Sequence, residues 1–247
     1  MSQTVQESQD KSQEAGNQPG LLAFSVLPIP AFPVYLFDID GTLLNSRDGV
    51  HYNAFHRAVR EVFGVESKID GVPVHGNTDI GILRAVVVRE GISDDDFREK
   101  LPRALQLMCR EVEDKRARLR PALCASVGEL LRSLHGAGKL LGIVSGNLEP
   151  IGWAKVNAAG LLHYFDFGSF SDRNELREDI FRYGIEEVRR RRGENARTYL
   201  VGDTPADIGA ARKVNTPVIA VATGIYSVEE LQKHWPDACV SCCTDLL

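Results

Sequence analysis

Long hydrophobic runs are missing from this sequence. No stretch reaches the roughly 18 to 20 uninterrupted apolar residues that a membrane span needs, and the longest candidate, residues 21–37, is broken by Ser25 and by prolines. An excess of positive charge is missing as well. Lys and Arg number 29 against 34 Asp and Glu, a net charge of −5, so no global field is available to hold a nucleic-acid backbone or an acidic membrane surface. Neither nucleic acid nor membrane is an expected partner. Cysteine is scarce: five in 247 residues, three of them bunched at Cys239, Cys242 and Cys243, make no disulfide framework and suggest a reducing, cytoplasmic setting. With no second Cys or His pair at finger-like spacing, the bunch makes no zinc site either, and reads as small apolar residues of a last edge strand and its exit. The first twenty residues lack the basic start and apolar stretch of a secretory signal and read as a flexible tail. What remains, 43% hydrophobic and 26% charged, is the composition of a globular protein large enough for one main core with a smaller insert.

Three prolines within residues 28–33 resist both helix and central strand, so residues 1–33 are expected to be a tail and an extended arm outside the body. Val34 to Phe37 are β-formers that end abruptly in acidic residues, as a buried parallel strand entering a functional loop would. From about 52 to 134 the apolar spacing turns helical, in Ala54, Phe55, Ala58, Val59, Val62 and Phe63 and again in Ile80, Leu83, Val86 and Val87, and no strand is expected there. Ser93 with Asp94, Asp95 and Asp96 opens a helix as cap and first-turn acids. Beyond it, strands near 140–144, 165–170, 198–201 and 218–221 alternate with helices near 149–159, 175–192 and 206–213. That rhythm predicts a doubly wound parallel α/β sheet built from residues 34–48 and 123–247, with a helical insert over 49–122. Arg189 to Arg192 fall at a helix C-terminus, where cations oppose the dipole, and read as a solvated face.

The polar motifs sit where such a sheet binds ligands, beyond the carboxyl ends of its strands. In Asp38-Ile39-Asp40-Gly41-Thr42 a spacing of two puts both carboxylates on one side of an extended chain, and Gly41 lets the backbone turn away. Ser145-Gly146-Asn147 precedes a helix and offers a hydroxyl and free N–H groups to an anion. Gly202-Asp203-Thr204-Pro205-Ala206-Asp207 ends another apolar strand with two acids four apart. Three or four carboxylates on one sheet edge are costly without a cation, and hard oxygen ligands with room for water and phosphate select Mg²⁺.

These three motifs, in this order and spacing, resemble the haloacid dehalogenase superfamily, and among its members the phosphoglycolate-phosphatase-like ones with a helical cap between the first two motifs. The resemblance implies a Mg²⁺-dependent phosphatase acting on a small phosphorylated metabolite. Asp38 would be the nucleophile and Asp40 the acid and base. Asp38, the Asp40 carbonyl and Asp203 would hold the metal, with Asp207 assisting, and Thr42, Ser145, Gly146 and Asn147 would receive the phosphate. The family's third motif is usually a lysine, but none occurs between Lys155 and Lys213. Arg173, at the expected end of the third strand, is favoured to replace it, with Arg177 as the alternative. Asn77, Thr78 and Asp79 resemble the cap loop that faces the site, although Asn77 or Thr78 serving as a plain helix N-cap explains them equally well. A second acid at Asp40 argues against a dehalogenase, which needs no proton for its leaving group. A phosphosugar mutase uses both aspartates too, and a non-catalytic phosphate binder would have lost at least one. A small phosphorylated acid or sugar phosphate is the expected substrate.

Overall fold

A computed structural model describes residues 32–67 and 69–247. The expected tail lies outside the described residues, as does the arm apart from Phe32 and Pro33. Phe32 itself is buried beside the sheet, its ring 4.0 Å from that of Tyr199. The strands are β1 (Val34–Phe37), β2 (Leu44–Ser46), β3 (Pro121–Leu123), β4 (Leu140–Val144), β5 (Phe167–Ser169), β6 (Thr198–Gly202), β7 (Val218–Val221) and β8 (Ala238–Val240). The helices are α1 (Val50–Ala58), α2 (Asp79–Arg89), α3 (Asp94–Asp114), α4 (Val127–Gly136), α5 (Glu149–Ala158), α6 (Arg177–Arg192), α7 (Pro205–Lys213) and α8 (Val228–Gln232).

Six strands form one parallel sheet in the order β5-β4-β1-β6-β7-β8. Every residue of β1, β4, β6 and β7 is buried, which is why they read as unbroken apolar runs: a parallel strand covered by helices on both faces has no polar side. One face packs on Leu130, Leu131 and Leu134 of α4 and Val156 of α5, the other on Ile180 and Phe181 of α6 and Ile208 of α7. The chain winds outward from β1 through β4 to β5, then returns to β6 on the other side of β1. This reversal opens a crevice at the carboxyl ends of β1, β4 and β6, where the three motifs fall.

The helical insert has its own core, built from α1, α2 and α3 with the π-type turn Val59–Phe63 that extends α1. That core also takes in Leu148, Ile151 and Ala154 of the α5 segment, so the insert rests on one helix of the sheet layer. Two expectations are corrected here. β3 interrupts the stretch in which no strand was expected, pairing antiparallel with β2 where the chain leaves and re-enters the sheet layer. Three half-exposed residues that include a proline carry no apolar period to reveal such a strand. The strand expected over 165–170 is only Phe167–Ser169, because a 3₁₀ turn, Ser171–Arg173, follows it, and α6 starts two residues later than expected.

Ser93 caps α3 by accepting from the Asp96 N–H at 3.2 Å. All five cysteines are free; Cys239 lies in β8 and Cys243 is buried in the closing 3₁₀ turn. No helix among the described residues is long and apolar enough to cross a membrane.

Candidate active site

The first carboxylate is an extension of the sheet. The Asp38 N–H donates to the Val201 carbonyl at 3.0 Å, continuing the β1–β6 ladder one residue past the strand and fixing the side chain at the sheet's edge. The chain then turns at Gly41, with φ at +85°, a conformation L side chains resist. Space demands glycine there too. A Cβ at Gly41 would lie 2.2 Å from Asp203 Oδ2, and one at Gly224 only 1.8 Å from the same atom. Asp203, at the end of β6, is therefore wedged between two glycine backbones, and Thr42 donates its hydroxyl to Asp203 Oδ1 at 3.0 Å.

Two cations sort the four carboxylates. Arg177, the first residue of α6, is buried; its Nη2 lies 2.8 Å from Asp38 Oδ2 and 2.6 Å from Asp207 Oδ1, and its Nε donates to that same Asp207 oxygen at 2.8 Å. The other Asp207 oxygen accepts from the Thr204 N–H and hydroxyl in the capping box of α7. Both oxygens of Asp207 are thus spoken for, and its role is to hold Arg177 against Asp38. Lys155, from the middle of α5, donates to Asp40 Oδ1 at 2.9 Å, to Asp40 Oδ2 at 2.7 Å and to Asn147 Oδ1 at 2.8 Å. Asn147 Nδ2 donates both to Asp40 Oδ2 at 2.8 Å and to Ser145 Oγ at 2.9 Å, which ties the second motif to the first.

The electrostatic outcome differs from acid to acid. Burial raises the Asp38 carboxyl to about 6, with Arg177 pulling it down and Asp207 and Asp40 pushing it up. Burial raises Asp203 further, to about 8, reinforced by Asp207 and Asp38 and countered by Thr42 and Arg177. For Asp40 burial acts in the same direction, but the Lys155 charge and its hydrogen bonds outweigh it and hold the group below the usual carboxylate range. Arg177 stays charged because Asp207 and Asp38 overcome the cost of its burial.

Arg173, favoured for the third motif, is not at this site. It lies exposed in the 3₁₀ turn Ser171–Arg173, and that turn delays the helix so that Arg177, not Arg173, begins α6 beside the sheet edge. Lys155 escaped sequence reasoning. Its only signal is a lysine four residues after Ile151, on the apolar side of a helix whose neighbours are buried.

The loop from Gly76 to Asp79 closes over the crevice. Thr78 caps α2 by accepting from the Gly81 N–H at 3.0 Å, as the plainer expectation had it, and donates its hydroxyl to the Glu175 carbonyl at 2.7 Å. The Asp79 N–H donates to the Gly146 carbonyl at 2.8 Å, and Asp79 Oδ2 accepts from the Leu148 N–H at 2.8 Å. Asn77 is occupied locally, accepting from the Thr78 N–H and donating to the Pro73 carbonyl. A Cβ at Gly146 would stand 2.3 Å from the Asn77 carbonyl oxygen, so that glycine is the pad on which the loop docks. Further out, Arg84 of α2 forms a two-pronged pair with Glu175, at 2.6 and 2.8 Å.

Beneath this loop lies a cavity of about 240 Å³ lined by Asp38, Asp40, Ser145, Asn147, Lys155 and Arg177 on the sheet side. Asp38 Oδ1 is buried without a hydrogen-bond partner. Among the described residues, Asp38, Asp203 and Asp207 are the one set of three acidic, His or Cys side chains whose ligand atoms come within 4.8 Å of one another. Buried acids this close together, with burial holding Asp38 and Asp203 well above the usual carboxylate range, form a donor set that a hard divalent cation would satisfy.

The family model of haloacid dehalogenase-like hydrolases matches residues 35–221. The phosphoglycolate phosphatase of Mesorhizobium japonicum is 28% identical over 212 residues, 85% of this chain and 90% of that protein. Solved structures that share the fold include the following two. A haloacid dehalogenase-like family hydrolase from Streptococcus pneumoniae superimposes with a TM-score of 0.60 at 19% identity, over 87% of this chain and 96% of its own. The β-phosphoglucomutase of Clostridium difficile does so with a TM-score of 0.63 at 16% identity, over 87% and 93%.

Proposed function

Because this chain belongs to the haloacid dehalogenase-like hydrolases, we propose that it is a Mg²⁺-dependent phosphatase that hydrolyses a small phosphate monoester through a phosphoryl-Asp38 intermediate. One observation carries the reading: Asp38 lines the cavity with Oδ2 gripped by Arg177 and Oδ1 unpartnered, a nucleophile oriented by one oxygen and free at the other. Oδ1 attacks phosphorus, and the bond from phosphorus to the alkoxide oxygen breaks. Asp40, two residues on and open to the same cavity, delivers a proton to that oxygen. It then takes a proton from the water that cleaves the acyl phosphate. Lys155 holds Asp40 ionised at rest, the state the second step needs, whereas a phosphate dianion arriving beside Asp40 favours the protonated state the first step needs. Ser145 and the N–H groups after it receive phosphate oxygens, and Arg177 offsets charge between nucleophile and phosphate.

Asp38, Asp203 and the Asp40 carbonyl would hold the Mg²⁺, with Asp207 acting behind them through Arg177. When bound, the ion supplies positive charge against the repulsion between a carboxylate and a phosphate dianion. The relative named as a phosphoglycolate phosphatase supports a hydrolytic outcome. In the mutase alternative, suggested by the β-phosphoglucomutase neighbour, a second substrate hydroxyl replaces the water. Release of inorganic phosphate from p-nitrophenyl phosphate in Mg²⁺ tests the reading. Asp38→Asn should remove it by about 10⁴-fold with the fold intact, and EDTA should remove it reversibly. Substantial activity in either case rejects the mechanism.

A further inference from the structure

The two halves of the cavity differ in charge. Lys155 and Arg177 are the only Lys or Arg among its described lining residues, and neither is available to the leaving group. Lys155 is matched by Asp40, and Arg177 by Asp38 and Asp207. The helical side carries Phe55, Ile69, Val74, Ile82 and Leu119, an apolar wall. Its carboxylates are Asp48 and Asp79. Asp48 lies at the rim, its oxygens accepting from the Val50 and Arg120 N–H groups, and Asp79 sits beneath the closing loop. His51 is the basic side chain closest to that acid, with Nε2 3.2 Å from Asp79 Oδ2, and His75 is exposed. One polar atom on this side, Ser46 Oγ, is buried with neither a hydrogen-bond nor an ion-pair partner. The volume, about 240 Å³, is below the roughly 300–1000 Å³ of sites for drug-sized ligands.

From this wall we infer that the leaving group is a small uncharged alcohol with an apolar face and one or two polar atoms, and not a hydroxy acid such as glycolate. The inference rests on the phosphatase reading. A carboxylate placed there would lose its hydration against five apolar side chains, meet no unmatched Lys or Arg, and face Asp79 and Asp48. A neutral alcohol loses far less. Its apolar carbons meet the wall, and its remaining polar atom meets the unsatisfied Ser46 hydroxyl.

The test compares three esters on the full-length protein in Mg²⁺: 2-phosphoglycolate, its amide carbamoylmethyl phosphate, and propyl phosphate. The first two have the same heavy-atom count and differ in one charge. The amide should exceed the acid in kcat/KM by at least about tenfold, a difference of ~1.4 kcal/mol that resides in KM, and propyl phosphate should match or exceed the amide. Val74→Lys, which adds a cation to the wall, should narrow the gap between acid and amide. A phosphoglycolate rate equal to or above that of the amide, or a gap unmoved by Val74→Lys, overturns the inference while leaving the phosphatase reading in place. Absence of phosphate release from all three and from p-nitrophenyl phosphate overturns the phosphatase reading itself.

Discussion

The sheet side and the helical side of the cavity are made by different rules. On the sheet side the carboxylates are held by one another's partners: Asp207 clamps Arg177, Arg177 grips one oxygen of Asp38, Lys155 and Asn147 hold Asp40, and Thr42 holds Asp203. On the helical side the wall is mostly apolar, and its polar groups bond backbone groups, near in sequence as Asp48 does at Val50 or across the cavity as Asp79 does at Leu148. The proposed chemistry is thus anchored to strand ends, while the wall proposed to meet the leaving group belongs to an insert whose contacts with the sheet layer, among the described residues, include the loop from Gly76 to Asp79, the Arg84–Glu175 pair and α5.

The largest effect should come from cutting the sheet-side network at its centre. Arg177→Ala leaves two buried carboxylates unmatched, and unfolding in urea should show a loss of about 3–5 kcal/mol together with a fall in kcat/KM of about 10²–10³. Arg177→Lys should restore part of the stability, since charge returns without the fork. Equal stability of the alanine variant and wild type would break the claim that Arg177 organises the site.

Next is the dock between the two sides. Gly146→Ala places a methyl group where the Asn77 carbonyl oxygen now lies, so the loop must lift, and kcat/KM should drop by about 100-fold with little change in melting temperature. A change confined to stability would mean that the loop does not set the geometry of the reaction.

A smaller, pH-dependent effect follows from the raised acids. Asp38 and Asp203 have folded values of about 6 and about 8, above their ordinary value of 3.8. Groups raised on folding add stability below their unfolded value and lose it as pH rises through the folded one. Metal-free protein should therefore melt lower at pH 8.5 than at pH 5, by several degrees or roughly 1–2 kcal/mol, and Mg²⁺ should stabilise most at the alkaline end. Differential scanning calorimetry with and without Mg²⁺ measures both, and a metal-free midpoint that rises over this range contradicts the assignment. The smallest effect belongs to the outer strap. A double-mutant cycle on Arg84 and Glu175, both partly exposed, should return a coupling of about 0.5–1 kcal/mol.

The sequence disclosed the sheet side far better than the helical side, for a physical reason. β1, β4 and β6 are unbroken apolar runs that stop at acids or at Ser145, so both the strands and the side chains at their ends declare themselves. The helical period over 52–134 likewise announced a helical insert, though not the three-residue β3 inside it. What was hidden depended on where a helix points. Arg173 and Arg177 differ by about one helical turn, and only the 3₁₀ turn before α6 decides which reaches Asp38. Lys155 reads as an ordinary helical lysine until α5 is laid against the first motif. Gly146 reads as room for an anion, and the structure also makes it room for another loop.

Asp203 lies where a methyl group at either residue 41 or residue 224 would have to be, so one side chain locks together two turns that are 183 positions apart along the chain. Any lineage exploring new substrates must therefore keep both turns bare, since even alanine at either one displaces that carboxylate. The apolar wall meets no such veto, and divergence among descendants of this protein should accumulate there first.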